Sequence, residues 1–478
     1  MIEKFNFIIL ISLTLLNKCF SEKIIFAFQI NRDGARSPYS GLRNGIDVFK
    51  EKWWLERNEL SYSGKRQLYL LGVKVRKRYI ETYHLLNKEY NPQEIYIRST
   101  DHNRTIESIY SYLQGLYPSG TGCTISDKVY SNKNIIYPPN KKYYEQFDKI
   151  INDYNMSVNR EALPFQMSIE PIHIFYRPLH EFELYDSGIC TTLYEPFVKQ
   201  NEREEIKDYA NDIINSTNGL FIDLEPEAQN KTYFYDYWNL YKYTDNFICD
   251  DTDKRSFEEL KNNFPYVNDT ILEKLKNKSK KFIVEDSILT NNWVNLSIVG
   301  TSYTMHSILN WMEKAKNNSI SCVNNNYIKF VIYSADDSSV GNIEGFMKYA
   351  FKTIIEFADF ADSRFFELYI DDNENYKVRY LKGDGTVKLD IDFDKFKSEV
   401  NDKTWSDEEV NDFCQFNENK NNEKDNNKRE NNNDTKNIRL VLLVILSTLN
   451  GILLVVLIVL IIIIKKNNLK FNYRKKTY

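Results

Sequence analysis

The sequence predicts an α/β protein: a mostly parallel, doubly wound sheet with helices on both faces, an inserted and partly helical cap subdomain, and one transmembrane helix near the C-terminus. Three observations predict it. Short, nearly unbroken apolar runs, such as residues 23–30 (KIIFAFQI), read as strands covered on both faces. Amphipathic helical stripes separate these runs along the chain. Three of the runs pass directly into polar clusters, the place where open α/β sheets bind ligands.

Taken in order, residues 5–16 are apolar over the length of a secretory signal, and Cys19-Phe20-Ser21 offers small residues for cleavage. Residues 1–21 are therefore expected to be a signal peptide, followed by an ectodomain over 22–410. The first strand feeds the polar loop 31–38. A helix is expected over about 65–83, with Leu68, Leu71, Val75 and Tyr79 on one stripe. A second strand, 95–97, ends at Arg98, and a helix over about 104–116 carries Ile106, Ile109, Leu113 and Leu116 on its inner face. Residues 125–280 are rich in Tyr, Asn and Glu with weaker periodicity and read as the cap. A third buried strand, 327–333, runs into Ser334-Ala335-Asp336-Asp337. Residues 377–381 and 387–389, with a Lys382-Gly383-Asp384-Gly385 turn between them, read as an edge hairpin.

The C-terminal part changes character. Residues 411–438 form a polar stalk, dominated by Asn, Lys and Glu from 415 onward. Residues 439–464 are almost wholly apolar and long enough to span a bilayer. The basic tail 465–478 then predicts a single-pass type I orientation with the ectodomain luminal or extracellular. Its last residues, Lys475-Lys476-Thr477-Tyr478, resemble a dilysine retrieval signal, so surface, lysosomal and endoplasmic-reticulum destinations all stay open. The chain's net charge of −4 conceals an asymmetry: the tail carries six Lys or Arg and no acid, residues 1–21 carry a net +1, and residues 22–464 carry −11. Such a body is not expected to bind nucleic acid. Eight N-x-[ST] sequons, at Asn155, Asn215, Asn230, Asn268, Asn277, Asn295, Asn317 and Asn433, suit an outside location, where the five cysteines beyond residue 21 suggest two disulfides and one free thiol.

The polar clusters at the strand ends are Arg32-Asp33-Gly34-Ala35-Arg36-Ser37-Pro38, Arg98-Ser99-Thr100-Asp101 with Arg104, and Asp336-Asp337-Ser338-Ser339. A lone arginine is usually a surface ion pair. Three at strand ends, converging on one crevice, can grip the oxygens of a phosphate.

These segments resemble the histidine acid phosphatases. The family's R-H-G-x-R-x-P reads R-D-G-A-R-S-P at 32–38, its R-S-T-D-x-x-R-T reads RSTDHNRT at 98–105, and its late S-A-H-D-T-T reads SADDSS at 334–339. A looser match covers Leu60 to Tyr79, Gly-Leu-Tyr-Pro stands at 115–118, and the likeness holds in the same order over roughly 23–395. The resemblance implies phosphate binding by Arg32, Arg36 and Arg98, with Asp337 as the general acid. It also implies that Asp33 stands at the position of the nucleophilic histidine and Asp336 at that of the second histidine. His84, His102, His173, His180 and His306 occupy no catalytic context. For the disulfides, the resemblance implies Cys190–Cys249 and Cys123–Cys414 with Cys322 free.

The two aspartates alter the expected chemistry, because a carboxylate approaching a phosphate meets charge repulsion that neutral imidazole does not. No cofactor and no resident metal are expected. The leading expectation is a pseudophosphatase that binds a phosphorylated small molecule or protein. An acid phosphomonoesterase using Asp33 is the alternative, which a divalent cation among Asp33, Asp336 and Asp337 would support. A surface structural or adhesion protein is the third; a pocket closed by Arg–Asp pairs would favour it over ligand binding.

Overall fold

A computed structural model of the protein describes residues 22–39, 55–118, 121, 173–174, 204–224, 231–253, 257–288, 293–321 and 327–414. The expected signal peptide (1–21), membrane-spanning segment (439–464) and basic tail (465–478) fall outside these residues, as does the expected stalk (411–438) except for residues 411–414, which are helical. No helix among the described residues is long and apolar enough to cross a membrane.

Seven strands form one sheet: β1 (Lys23–Arg32), β2 (Ile95–Ser99), β3 (His173–Ile174), β4 (Phe330–Ala335), β5 (Ser363–Ile370), β6 (Tyr376–Lys382) and β7 (Val387–Asp392), in the order β3-β2-β4-β1-β5-β6-β7. β3, β2, β4 and β1 are parallel. β5, β6 and β7 continue the sheet as an antiparallel meander from β1. The expected hairpin is present as β6 and β7. β5 is an addition to the sequence reading: Ser363–Ile370 contains Arg364 and Glu367, which break its apolar pattern, yet both are fully buried in ion pairs.

Helices cover both faces. α1 (Tyr62–Arg76) starts where the Ser61 hydroxyl accepts from the Gly64 amide at 3.1 Å, and it continues as a π-helical turn through Thr82. α2 (Asn103–Leu116) packs against α1 through two glycines. A Cβ on Gly72 would lie 2.0 Å from the Tyr112 carbonyl oxygen, and one on Gly115 2.0 Å from that of Tyr69. Only glycine permits that approach. With Leu68, Val75, Ile109, Tyr112 and Leu113 these helices bury one sheet face.

α3 (Glu204–Ser216), α4 (Leu220–Leu224), α5 (Tyr237–Thr252), α6 (Glu258–Asn263) and α7 (Asp269–Ile288) follow in the chain. They share an aromatic-rich core that includes Phe221, Phe234, Tyr243, Phe247 and Phe282. Ala35 and Phe360, from loops at the sheet end, belong to the same core, so the helical subdomain is seated on the loop after β1. The opposite sheet face is covered by α8 (Trp293–Ser321), α9 (Asp337–Phe351) and α10 (Phe393–Lys403), with Met305, Ile308, Ile343, Phe346 and Phe396 inward. α11 (Asp407–Cys414) closes the described chain.

Candidate functional site

The C-terminal ends of β1, β2 and β4 lie side by side, with Arg32 in register with Ala335 and Ser99 with Ser334. Backbone ties hold the loop after β1 rigidly. The Asp33 amide donates to the Ala335 carbonyl at 2.9 Å, and the Asp33 carbonyl accepts from the Ala361 amide at 2.8 Å. α1 and α2 add one tie each: the Ala35 amide donates to Gln67 Oε1 at 2.9 Å, and the Gly34 amide to Ser108 Oγ at 3.2 Å. Gly64 must be glycine here, because a Cβ would come within 2.1 Å of the Ala35 carbonyl oxygen.

This scaffold gathers a buried ion-pair cluster. Asp33, 1% exposed, directs Oδ2 at Arg104 Nε (3.4 Å) and Arg36 Nε (3.6 Å). Arg36 is gripped from the other side by Asp245 of α5, with Nη2–Oδ1 at 3.0 Å and Nη1–Oδ2 at 3.3 Å. Arg32 donates to Asp337 Oδ2 at 3.0 Å and to the Ala358 carbonyl at 2.7 Å, and its guanidinium lies 4.1 Å over the Phe360 ring. Arg104 also faces Asp336 Oδ2, at 3.7 Å. Asp336 caps α9, its Oδ1 accepting from the Ser339 amide at 3.2 Å and from the Ser338 and Ser339 hydroxyls.

Arg104 owes its position to a hydroxyl network. Thr105 Oγ1 bonds Thr100 Oγ1 at 2.5 Å and accepts from Ser99 Oγ at 3.2 Å, while Ser334 Oγ donates to the Thr105 carbonyl at 2.8 Å. The start of α2 is thereby fastened to β2 and β4.

Of the residues singled out in the sequence, Arg32, Asp33, Arg36, Asp336 and Asp337 come together. Arg98 is buried on β2, where its guanidinium lies 5.0 Å over the Tyr333 ring and donates to Tyr333 Oη at 3.4 Å. The side chain of that segment facing Asp33 is Arg104. Asp245, on α5 some two hundred residues further on, escaped sequence reasoning, and Cys249 entered it only as a disulfide partner. Nothing local in that stretch announces them.

One expectation needs correction. Cys249 is a free thiol, fully buried, accepting from Arg36 Nη1 at 3.6 Å and 3.8 Å from Asp245 Oδ1; α5 turns it into the ion-pair cluster, so it is not in the Cys190–Cys249 bridge. Cys414 is disulfide-bonded, as expected, to a partner outside the described residues. Asp33, Asp336 and Asp337, the carboxylates a divalent cation would need in the alternative enzymatic reading, are otherwise engaged. Each faces arginine, and no group of three or more His, Cys, Asp or Glu among the described residues could hold a metal ion.

Burial and charge set the protonation tendencies. Burial pushes the Asp33 carboxyl above its ordinary value, outweighing the downward pull of Arg104, Arg36 and Arg32. Burial also opposes ionisation of Asp337, but Arg32, Arg36 and Arg104 together overcome it and hold Asp337 below the usual range. Burial, then Asp245, push the Cys249 thiol up and keep it neutral.

With this geometry in hand, the similarities to other proteins are informative. The family model described as histidine phosphatase superfamily (branch 2) matches residues 14–382. The lysosomal acid phosphatase of Xenopus laevis is 27% identical over 367 residues, covering 75% of this chain and 69% of that one. The lysosomal acid phosphatase of Rattus norvegicus is 25% identical over 368 residues, covering 75% and 70%. The phytase of Citrobacter braakii shares the fold, with a TM-score of 0.52 at 11% identity over 80% of this chain and 99% of that one. The parallel strands, the covering helices and the matched span agree: this chain belongs to branch 2 of the histidine phosphatase superfamily.

Proposed function

We propose that this protein is a pseudophosphatase: it keeps an arginine oxyanion clamp, has lost phosphohistidine chemistry, and binds a phosphorylated ligand or partner without turning it over. The carrying observation is the seat of Asp33. Its carboxylate lies 3.4 Å and 3.6 Å from two guanidinium nitrogens, at the position where the family resemblance puts the imidazole that attacks phosphorus. A carboxylate there opposes an incoming phosphate; unit charges about 4 Å apart at an effective dielectric near 20 repel by roughly 4 kcal/mol. The protonation tendencies also run against catalysis. A nucleophile must be ionised and a general acid protonated, whereas burial favours neutral Asp33 and the arginines favour ionised Asp337.

The apolar segment 439–464 and the basic tail support display on the outer side of a membrane by one helix. The lysosomal acid phosphatases among its relatives fit a destination in the secretory pathway.

Hydrolysis of an aryl phosphate by the full-length protein, from about pH 4 to 8 with and without Mg²⁺, tests the reading against an Asp33→His, Asp336→His double variant. Silence in the parent with turnover in the variant is the expected result. Turnover in the parent that Asp33→Asn abolishes would establish carboxylate-based phosphoryl transfer instead, with Asp337, already 3.0 Å from Arg32, as its acid. The closure of Asp33, Asp336, Asp337 and Asp245 onto arginines favours a second reading, a purely structural ion-pair core. A clamp that takes no oxyanion at any pH would make that the function.

A further inference from the structure

We propose that Asp33 is a titratable plug: ionised, its carboxylate fills the space between Arg36 and Arg104, and protonated, it yields those guanidinium groups to a phosphate-like oxyanion, so that binding switches on in acid. The proposal rests on the reading of the arginine cluster as an anion site and adds its regulation.

The geometry gives Asp33 a separable role. Arg32, Arg36 and Arg104 each have another carboxylate partner, in Asp337, Asp245 and Asp336 respectively. Asp33 is the fourth anion among these three cations. Its Oδ2 is buried and, among the described residues, accepts no hydrogen bond; its contacts there are with the charges of Arg104 and Arg36. Among the described residues, Nε of Arg104 (9% exposed), 3.4 Å from it, and Nε of Arg32 (2% exposed), in the same cluster, also lack hydrogen-bond partners. Buried guanidinium nitrogens in that state are costly unless an acceptor arrives. An oxyanion is an acceptor for both. Once protonated, Asp33 changes from acceptor to donor and can itself hydrogen-bond the anion. Binding then takes up one proton per anion.

The charged and titratable groups around Asp33 among the described residues fall into sets by element. Arg32 and Arg36 belong to its own loop, Arg104 to the start of α2, and Asp336 and Asp337 to the start of α9. Behind Arg36 lie Asp245, Cys249 and Tyr241 of α5. Burial pushes the Cys249 thiol and the Tyr241 phenol upward, so both stay neutral in acid and at neutrality. Asp337 is held ionised, and His102 faces Asp101 at 3.7 Å. Asp33 is the group whose burial outweighs three arginines, which brings its neutral form within reach.

The test is titration calorimetry of the full-length protein in mild detergent with sulfate, which stays doubly charged across the range. Runs at several pH values, in buffers of different ionisation heat, give both affinity and proton uptake. Affinity is expected to rise roughly tenfold per pH unit of acidification above the Asp33 midpoint, with about one proton taken up per sulfate. Asp33→Asn is expected to bind sulfate almost independently of pH and more tightly than the parent at about pH 8. Binding by the parent that is flat with pH and free of proton uptake would overturn the plug and leave the oxyanion site standing. No binding by the parent or by a folded Asp33→Asn at any pH would overturn both. Should the variant fail to fold by circular dichroism, the parent's proton count decides alone.

Discussion

At Asp33 and Asp337 two chemically identical side chains, under the pull of the same three arginines, are driven in opposite directions. Exposure separates them: Asp33 is sealed, whereas the Asp337 side chain is partly exposed and also accepts from the Ser338 amide. Stability should record this with opposite signs. A raised pKa in the folded state makes ionised Asp33 a cost that is present at neutral pH and disappears as pH falls below the unfolded value. Asp33→Asn should therefore stabilise the protein at about pH 7 and change little near pH 3. The lowered pKa of Asp337 contributes stability at neutral pH that is lost as pH falls through its folded value. Asp337→Asn should destabilise at about pH 7, on the order of 1–3 kcal/mol, and less near pH 3. Urea denaturation of both variants at the two pH values checks the pair.

The elements that place these residues depend on close backbone approach. α1 and α2 cross through Gly72 and Gly115, and the start of α2 carries Arg104. Gly72→Ala should push the helices apart and cost about 1–3 kcal/mol or more in a chemical denaturation series. It should also loosen the contact between Arg104 and Asp33, which a reduced pH dependence of sulfate affinity would reveal. Much of this level was legible in the sequence. The expected runs 23–30, 95–97 and 327–333 fall on the parallel strands β1, β2 and β4, because strands buried on both faces must be apolar throughout. β5 was not legible, since Arg364 and Glu367 look like surface residues until Glu344, Arg78 and Tyr79 arrive from distant elements. Arg104 could be seen in its motif, but which arginine faces Asp33 depends on the phase of α2. Asp245 depends on a helix whose docking no local pattern encodes.

For the whole molecule, the sequence-level expectation of an outside location makes a direct claim on the surface. The sequons Asn215, Asn268, Asn277 and Asn317 all lie exposed on helices or helix starts of the described residues. Expression in a secreting eukaryotic cell should give a protein whose apparent mass falls by several kilodaltons on enzymatic removal of N-glycans. A mass unchanged by that treatment would count against the secretory route.

Cys249 gives this architecture an internal clock. The thiol lies in the seam between the helical subdomain and the loop after β1, where solvent does not reach it in the closed state. A thiol-reactive label can modify it only while α5 is lifted from Arg36. The labelling rate of that one peptide, followed by mass spectrometry, thus measures how often the seam breathes. Bound oxyanion, by bracing Arg36, should slow that clock, reporting occupancy from behind the site with no substrate turned over.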